Sequence, residues 1–155
     1  MIELKGVSKS YNQGKVKAVD NLDLSVRPGE IFGFLGPNGA GKTTTIKMMV
    51  GLLKSDSGVI KIKGYDLAKN PLKVKQNLSY VPDNAAVYEK LTGLEYLNFL
   101  ADVYGVSAKA RKERMERFLE LFELTHAVGD LIQSYSHGMR QKLVLIGALL
   151  HQPDV

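Results

Sequence analysis

The residues Gly36-Pro37-Asn38-Gly39-Ala40-Gly41-Lys42-Thr43 have the types and the spacing to hold a polyphosphate. They fit the pattern G-x-x-x-x-G-K-[ST], and each fixed position has a chemical reason. Gly36, Gly39 and Gly41 permit backbone angles and close approaches that a Cβ would forbid. The N–H groups of such a loop can converge on phosphate oxygens. Lys42 supplies a mobile ammonium for the outer phosphates. Thr43 supplies a hydroxyl for Mg²⁺, an ion that takes oxygen ligands and brings its own waters. The plainer alternative, a Gly-rich turn beside a solvated lysine, leaves this spacing to chance. The N-K-x-D element on which many guanine-binding loops rely is absent. Tyr11 could stack on a purine, although such a tyrosine alone is more often just an edge-strand aromatic.

A second candidate lies near the other end, in Tyr135-Ser136-His137-Gly138-Met139-Arg140-Gln141-Lys142. Ser136 and Gly138 stand where a helix should begin. A serine there is ordinarily an N-cap, but the same helix end, with its unpaired donors, can also face an anion.

These residues need elements to position them. Ile2 and Leu4, then Leu22, Leu24 and Val26, alternate with polar residues as strands do. Ile31-Phe32-Gly33-Phe34-Leu35 is a compact apolar run that predicts a strand buried on both faces, directly before the phosphate loop. A helix is expected from Gly41 or Lys42 through Leu52, with Ile46, Met49 and Val50 inward. Val59, Ile60 and Ile62 predict a further strand, and Leu78 to Val81 another, stopped by Pro82. Beyond it the pattern turns helical. Thr92-Gly93-Leu94-Glu95 is a capping box, opening a helix with Leu97, Leu100 and Tyr104 on one face. Ser107 could cap the next, whose stripe is Met115, Phe118, Leu119 and Phe122. The last helix is expected over about 137–150, with Met139, Leu143, Ile146 and Leu150 in line. The organisation is an α/β piece to about residue 82, a helical piece to about 135, and one returning helix.

Composition narrows the classes. Of 155 residues, 45% are hydrophobic and 24% charged, so disorder is excluded. Without cysteine there is no disulfide framework and no thiolate metal site. His126, His137 and His151 lack ligand spacing. No apolar run approaches the roughly 18 residues of a membrane span. Residues 1–80 carry 13 Lys and Arg against 6 Asp and Glu, a net of +7, whereas 81–155 carry a net of −2. The basic half either is a solvated surface or meets an anion.

With the loop, Tyr11 and the segment around Ser136 together, the chain resembles the nucleotide-binding subunit of an ABC transporter, over its whole length and in the right order. The resemblance implies an α/β P-loop NTPase with an antiparallel β subdomain and a helical subdomain, incomplete at the C-terminus. It implies ATP and Mg²⁺ as ligands. Tyr11 matches the adenine-stacking aromatic, and Gly36, Pro37, Asn38, Gly39, Ala40, Gly41, Lys42, Thr43 and Thr44 match the Walker A loop. Asp83, after Val81-Pro82, falls at the Q-loop position; with Thr43 it could reach Mg²⁺ or its water, although it is shorter than glutamine and charged. Ser136, His137, Gly138 and Met139 fall in the signature motif, which faces the ATP of a partner subunit. That motif reads Tyr-Ser-His-Gly-Met where the family's commonest form is Leu-Ser-Gly-Gly-Gln. The form looks like exporter subunits of the ABC-2 type.

The resemblance further implies a head-to-tail homo- or heterodimer, a membrane-spanning permease partner, no specific nucleic acid, and a place on the cytoplasmic face of a bacterial or archaeal membrane. Ala85 to Leu100 match the part that receives a permease helix, with Val87, Tyr88, Leu91, Tyr96 and Phe99 as its apolar surface or, alternatively, as plain core. The family's Asp-Glu strand and switch histidine do not occur within the 155 residues. The expectation is therefore that these residues belong to a longer chain, bind nucleotide, hydrolyse it negligibly alone, and leave much of the last helix's apolar stripe uncovered. A loop protein acting on nucleic acid through the basic half is the competing reading. A P-loop kinase or GTPase and a purely structural domain are weaker ones.

Overall fold

The computed structural model describes residues 1–83 and 87–155. The chain divides into two compact units, Met1–Leu78 with Asp154–Val155, and Ser79–Pro153.

The first unit is built on a four-stranded antiparallel sheet of order β2-β1-β3-β4, from β1 (Ile2–Tyr11), β2 (Val16–Val26), β3 (Ser57–Ile62) and β4 (Tyr65–Asp66). β1 and β2 form a hairpin that closes at the pair Tyr11 and Val16. Of the residues whose alternation marks the strands, Leu4 and Ile60 are in the core, where Val7, Val19, and Met48 and Met49 of helix α1 (Lys42–Met49) join them. That helix is shorter than expected. Gly51 takes φ 72°, its N–H bonds the Met48 carbonyl at 3.1 Å, and the Leu52 N–H bonds that of Lys47 at 2.9 Å. This paired closure ends a helix at a left-handed glycine, and Leu52 is left exposed. The short helix α2 (Pro71–Gln76), started by its proline, has no counterpart in the sequence reading.

Two expected strands do not form. Ile31–Leu35 belongs to no ladder, and Ile31 and Leu35 are 100% and 94% exposed rather than buried. Leu78–Val81 is likewise not a strand. An apolar run becomes a strand only when a neighbouring strand accepts its backbone hydrogen bonds. Among the described residues neither run has one.

The second unit is helical: α3 (Gly93–Val103), α4 (Ala108–Leu121) and α5 (His137–Leu149), with a 3₁₀ turn at Ile132–Ser134. The caps fall where the side chains predict them. Thr92 and Glu95 form the reciprocal box, and Ser107 accepts from the Ala110 N–H. The Thr92 N–H and hydroxyl hold the Glu95 carboxyl below its ordinary range. Leu97, Ala101, Met115, Leu119, Ile132, Leu143, Ile146 and Leu150 form one buried core. The expectation that the stripe of α5 would lie uncovered is thus wrong: Leu143, Ile146 and Leu150 are all buried, because α3 and α4 of the same unit cover them. Tyr96 is also core rather than surface, whereas Tyr88 and Phe99 stand exposed with their rings edge to face at 5.8 Å. Ala85 lies outside the described residues.

Candidate functional site

The phosphate loop sits in the first unit. Its glycines take the conformations that the pattern requires, with φ of 144° at Gly36, 84° at Gly39 and 82° at Gly41. Gly41 is the N-cap of α1, and it offers no side-chain cap to the helix. The first N–H groups of a helix have no acceptor within it. Left uncapped, and with no acidic residue in the first turn, they keep their donors and the positive end of the helix dipole available to an anion. Gly41 is also confined sterically. A Cβ there would lie 2.2 Å from the Ala18 carbonyl oxygen of β2, so the hairpin and the helix start meet across bare backbone.

Lys42 folds back over this loop. Its Nζ donates to the Gly36 carbonyl at 2.6 Å and to the Pro37 carbonyl at 2.8 Å. The ammonium is thereby held at the loop, satisfied by weak neutral acceptors that a phosphate oxygen can outcompete. Pro37, Asn38 and Ala40 are exposed around it, and the Ala40 N–H closes a turn on the Pro37 carbonyl at 3.3 Å. Thr43 is exposed and Thr44 half-buried. Thr45, which sequence reasoning passed over, is buried and donates its hydroxyl to the Gly41 carbonyl at 2.9 Å. Its position one turn after Gly41 could have marked it as the brace of the helix start.

Tyr11 ends β1 with its ring exposed. The Lys9 ammonium stands 6.0 Å from the ring centroid and 2.6 Å from Asp56. That ammonium, with the Ser10 N–H, holds the Asp56 carboxyl below its ordinary range. The ring is thus an open aromatic plate beside a fixed cation.

The residues around Ser136 lie in the second unit. Ser136 is the N-cap of α5, its Oγ accepting from the Met139 N–H at 3.2 Å. The hydroxyl proton is then free to donate. His137 and Gly138 are exposed, while Met139 is half-buried and packs on the core of this unit, so its side chain serves packing and its main chain serves the cap. Ser136→Ala should cost about 1 kcal/mol of stability and Ser136→Gly only a few tenths. Urea melts of the two variants check this, and equal losses would remove the capping bond from the account. Asp83 is exposed in the same unit, and its carbonyl accepts from Gln141 Nε2 at 2.6 Å.

Tyr11 and residues 36–44 thus belong to one unit, and Asp83 and residues 136–139 to the other. Among the described residues no three His, Cys, Asp or Glu side chains gather to hold a metal ion. The donor set fits a magnesium ion that arrives with a nucleotide. The exposed Thr43 hydroxyl would ligate it, and phosphate oxygens and waters would complete the shell. Among the described residues no helix is long and apolar enough to cross a membrane.

The family described as "ABC transporter" matches residues 19–155. Among curated proteins, the linearmycin resistance ATP-binding protein LnrL of Bacillus subtilis (strain 168) is 39% identical over all of this chain and 49% of its own length. The chain spans about half the length of the first curated relatives it matches. Among solved structures, an ATP-binding subunit of an ABC transporter superimposes with a TM-score of 0.91 at 33% identity, covering 99% of this chain and 63% of that one. A dimeric post-hydrolysis state of the ATP-binding cassette MJ0796, bound to ADP and Pi, superimposes with a TM-score of 0.83 at 25% identity, over 99% of this chain and 71% of the other.

Proposed function

From the premise that the chain belongs to the ABC transporter family, we propose that it binds Mg-ATP and that the complete protein hydrolyses it to drive export through a membrane-spanning partner. The observation that carries this reading is the ammonium of Lys42 held over the Gly36 and Pro37 carbonyls at the uncapped start of α1. The phosphates would lie on the N–H groups of residues 39–44, Lys42 would meet the outer phosphates, and Thr43 would hold the magnesium ion. Tyr11 would stack on the adenine. Ser136 and Gly138 would face the nucleotide of a second, head-to-tail subunit, because α5 presents an exposed N-terminus there. Asp83 is proposed for the magnesium-bound water. Export is supported by the family relation to LnrL, whose name is that of a resistance protein.

The exposed pair Tyr88 and Phe99, with Val87 and Leu91 beside it, supports docking of an apolar segment of the membrane partner. Buried aromatic anchors commonly contribute about 1–2 kcal/mol each at such surfaces. The double variant Tyr88→Ala, Phe99→Ala should therefore weaken association roughly tenfold or more. The test is purification of the complete subunit from detergent-solubilised membranes, followed by ATPase assay. Co-purification of an integral membrane protein, lost in the double variant, is the expected result. Tight, steeply salt-dependent DNA or RNA binding with no membrane protein attached would replace this reading with the nucleic-acid one.

A further inference from the structure

Arg140 makes bonds that nothing in the phosphate chemistry requires. Its Nε donates to the Tyr135 carbonyl at 3.2 Å, one terminal nitrogen to the Gln133 carbonyl at 3.0 Å, and the other to the Glu89 carboxylate at 2.8 Å. The two carbonyls bracket the turn that delivers Ser136 to the start of α5. The carboxylate belongs to the segment that displays Tyr88. That segment is stitched to the same turn by its main chain, with the Gln133 N–H on the Glu89 carbonyl at 3.1 Å and the Ile132 N–H on the Leu91 carbonyl at 2.9 Å. One residue further along α5, Gln141 holds the Asp83 carbonyl.

We propose that Arg140 is a positioning residue that, through Glu89, ties the exposed Tyr88–Phe99 face to the turn presenting Ser136, so that a partner seated on that face steadies the N-terminus of α5. This inference rests on the transport reading above. A planar guanidinium suits the task because its fork addresses three acceptors in fixed directions, which an ammonium cannot. The pair with Glu89 is partly solvated, with side chains 32% and 55% exposed. Such a pair adds little to folding, so its removal should leave the fold intact and register in the response to the partner.

The experiment uses the complete subunit with its membrane partner in lipid nanodiscs, and measures ATPase kcat and KM for the subunit alone and in the complex. The variants are Glu89→Ala, Arg140→Gln, Arg140→Lys and the double Glu89→Ala, Arg140→Gln. Glu89→Ala should keep the basal turnover of the lone subunit and its binding to the partner, while stimulation by the partner falls roughly fivefold, the scale of one partly exposed charged pair. Arg140→Gln should reduce stimulation at least as far, and Glu89→Ala should add nothing in that background. Arg140→Lys should recover part of it. Unchanged stimulation in Glu89→Ala, additive losses in the double variant, or a fall in basal turnover matching the fall in stimulated turnover would each overturn the assignment. A parent protein that neither binds a membrane partner nor turns over ATP would bring down the transport reading itself, and the inference with it.

Discussion

Lys42→Ala will bind Mg-ATP roughly a hundredfold more weakly than the parent subunit, yet melt at nearly the same temperature. The two halves of this result have separate causes. The ammonium bonds the Gly36 and Pro37 carbonyls, both at an exposed loop. Those carbonyls can turn to water when the lysine is gone, so the stability loss should stay within about 1 kcal/mol. Against a triphosphate the same ammonium makes charge-assisted bonds worth roughly 1.5–3 kcal/mol each. At the lower end of that range, two of them account for about two orders of magnitude in Kd. Lys42→Arg should recover only part of the affinity, because a branched guanidinium replaces a compact charge in a tight loop. Calorimetric titration with Mg-ATP beside a thermal melt checks both halves. Parent-like affinity in a folded Lys42→Ala protein would remove the loop from the nucleotide site.

What the sequence made legible divides by distance along the chain. The caps at Thr92, Ser107 and Ser136 could be read because each side chain bonds an N–H three residues on, and such bonds depend on local spacing alone. The positive φ angles of Gly36, Gly39 and Gly41 were likewise legible from local spacing. Ile31–Leu35 is neither buried nor a strand, because both depend on neighbours whose residues lie elsewhere in sequence, and apolar composition alone supplies none. The stripe of α5 was read correctly as apolar but assigned no cover, since the packing of α3 and α4 against it is tertiary. Arg140 stood inside a segment already singled out, but its acceptor Glu89 is 51 positions away. Nothing in the order of residues names that pairing. Tyr96 and Phe99 sit on one helix and fit the same apolar description, yet one is core and the other surface. A periodic pattern identifies a face, and only the neighbouring elements decide how wide the buried part of that face is.

The sharpest consequence of such a long-range constraint falls on Gly41. Gly41→Ala and Gly39→Ala place the same methyl group at nearly the same backbone angle, φ 82° and 84°. On local grounds both should cost about 1–2 kcal/mol, the penalty of a left-handed conformation for an L-residue. Their surroundings differ. A Cβ at Gly39 meets nothing within 4 Å, whereas at Gly41 it would stand 2.2 Å from the Ala18 carbonyl oxygen and 3.2 Å from Val19. A backbone carbonyl in a strand cannot rotate aside as a side chain can. Either β2 shifts or the first turn of α1 moves, and Thr45, which bonds the Gly41 carbonyl, moves with it. Gly41→Ala should therefore lose at least about 3 kcal/mol, within the range of backbone strain added to overpacking. It should also lose nucleotide binding, because the donors at the start of α1 no longer converge. Gly39→Ala should lose only that local penalty of about 1–2 kcal/mol. Urea melts of both variants, read beside ATP titrations, separate the two costs. Equal stability losses would mean that the hairpin does not press on the helix start, and that the loop is shaped by its own glycines alone.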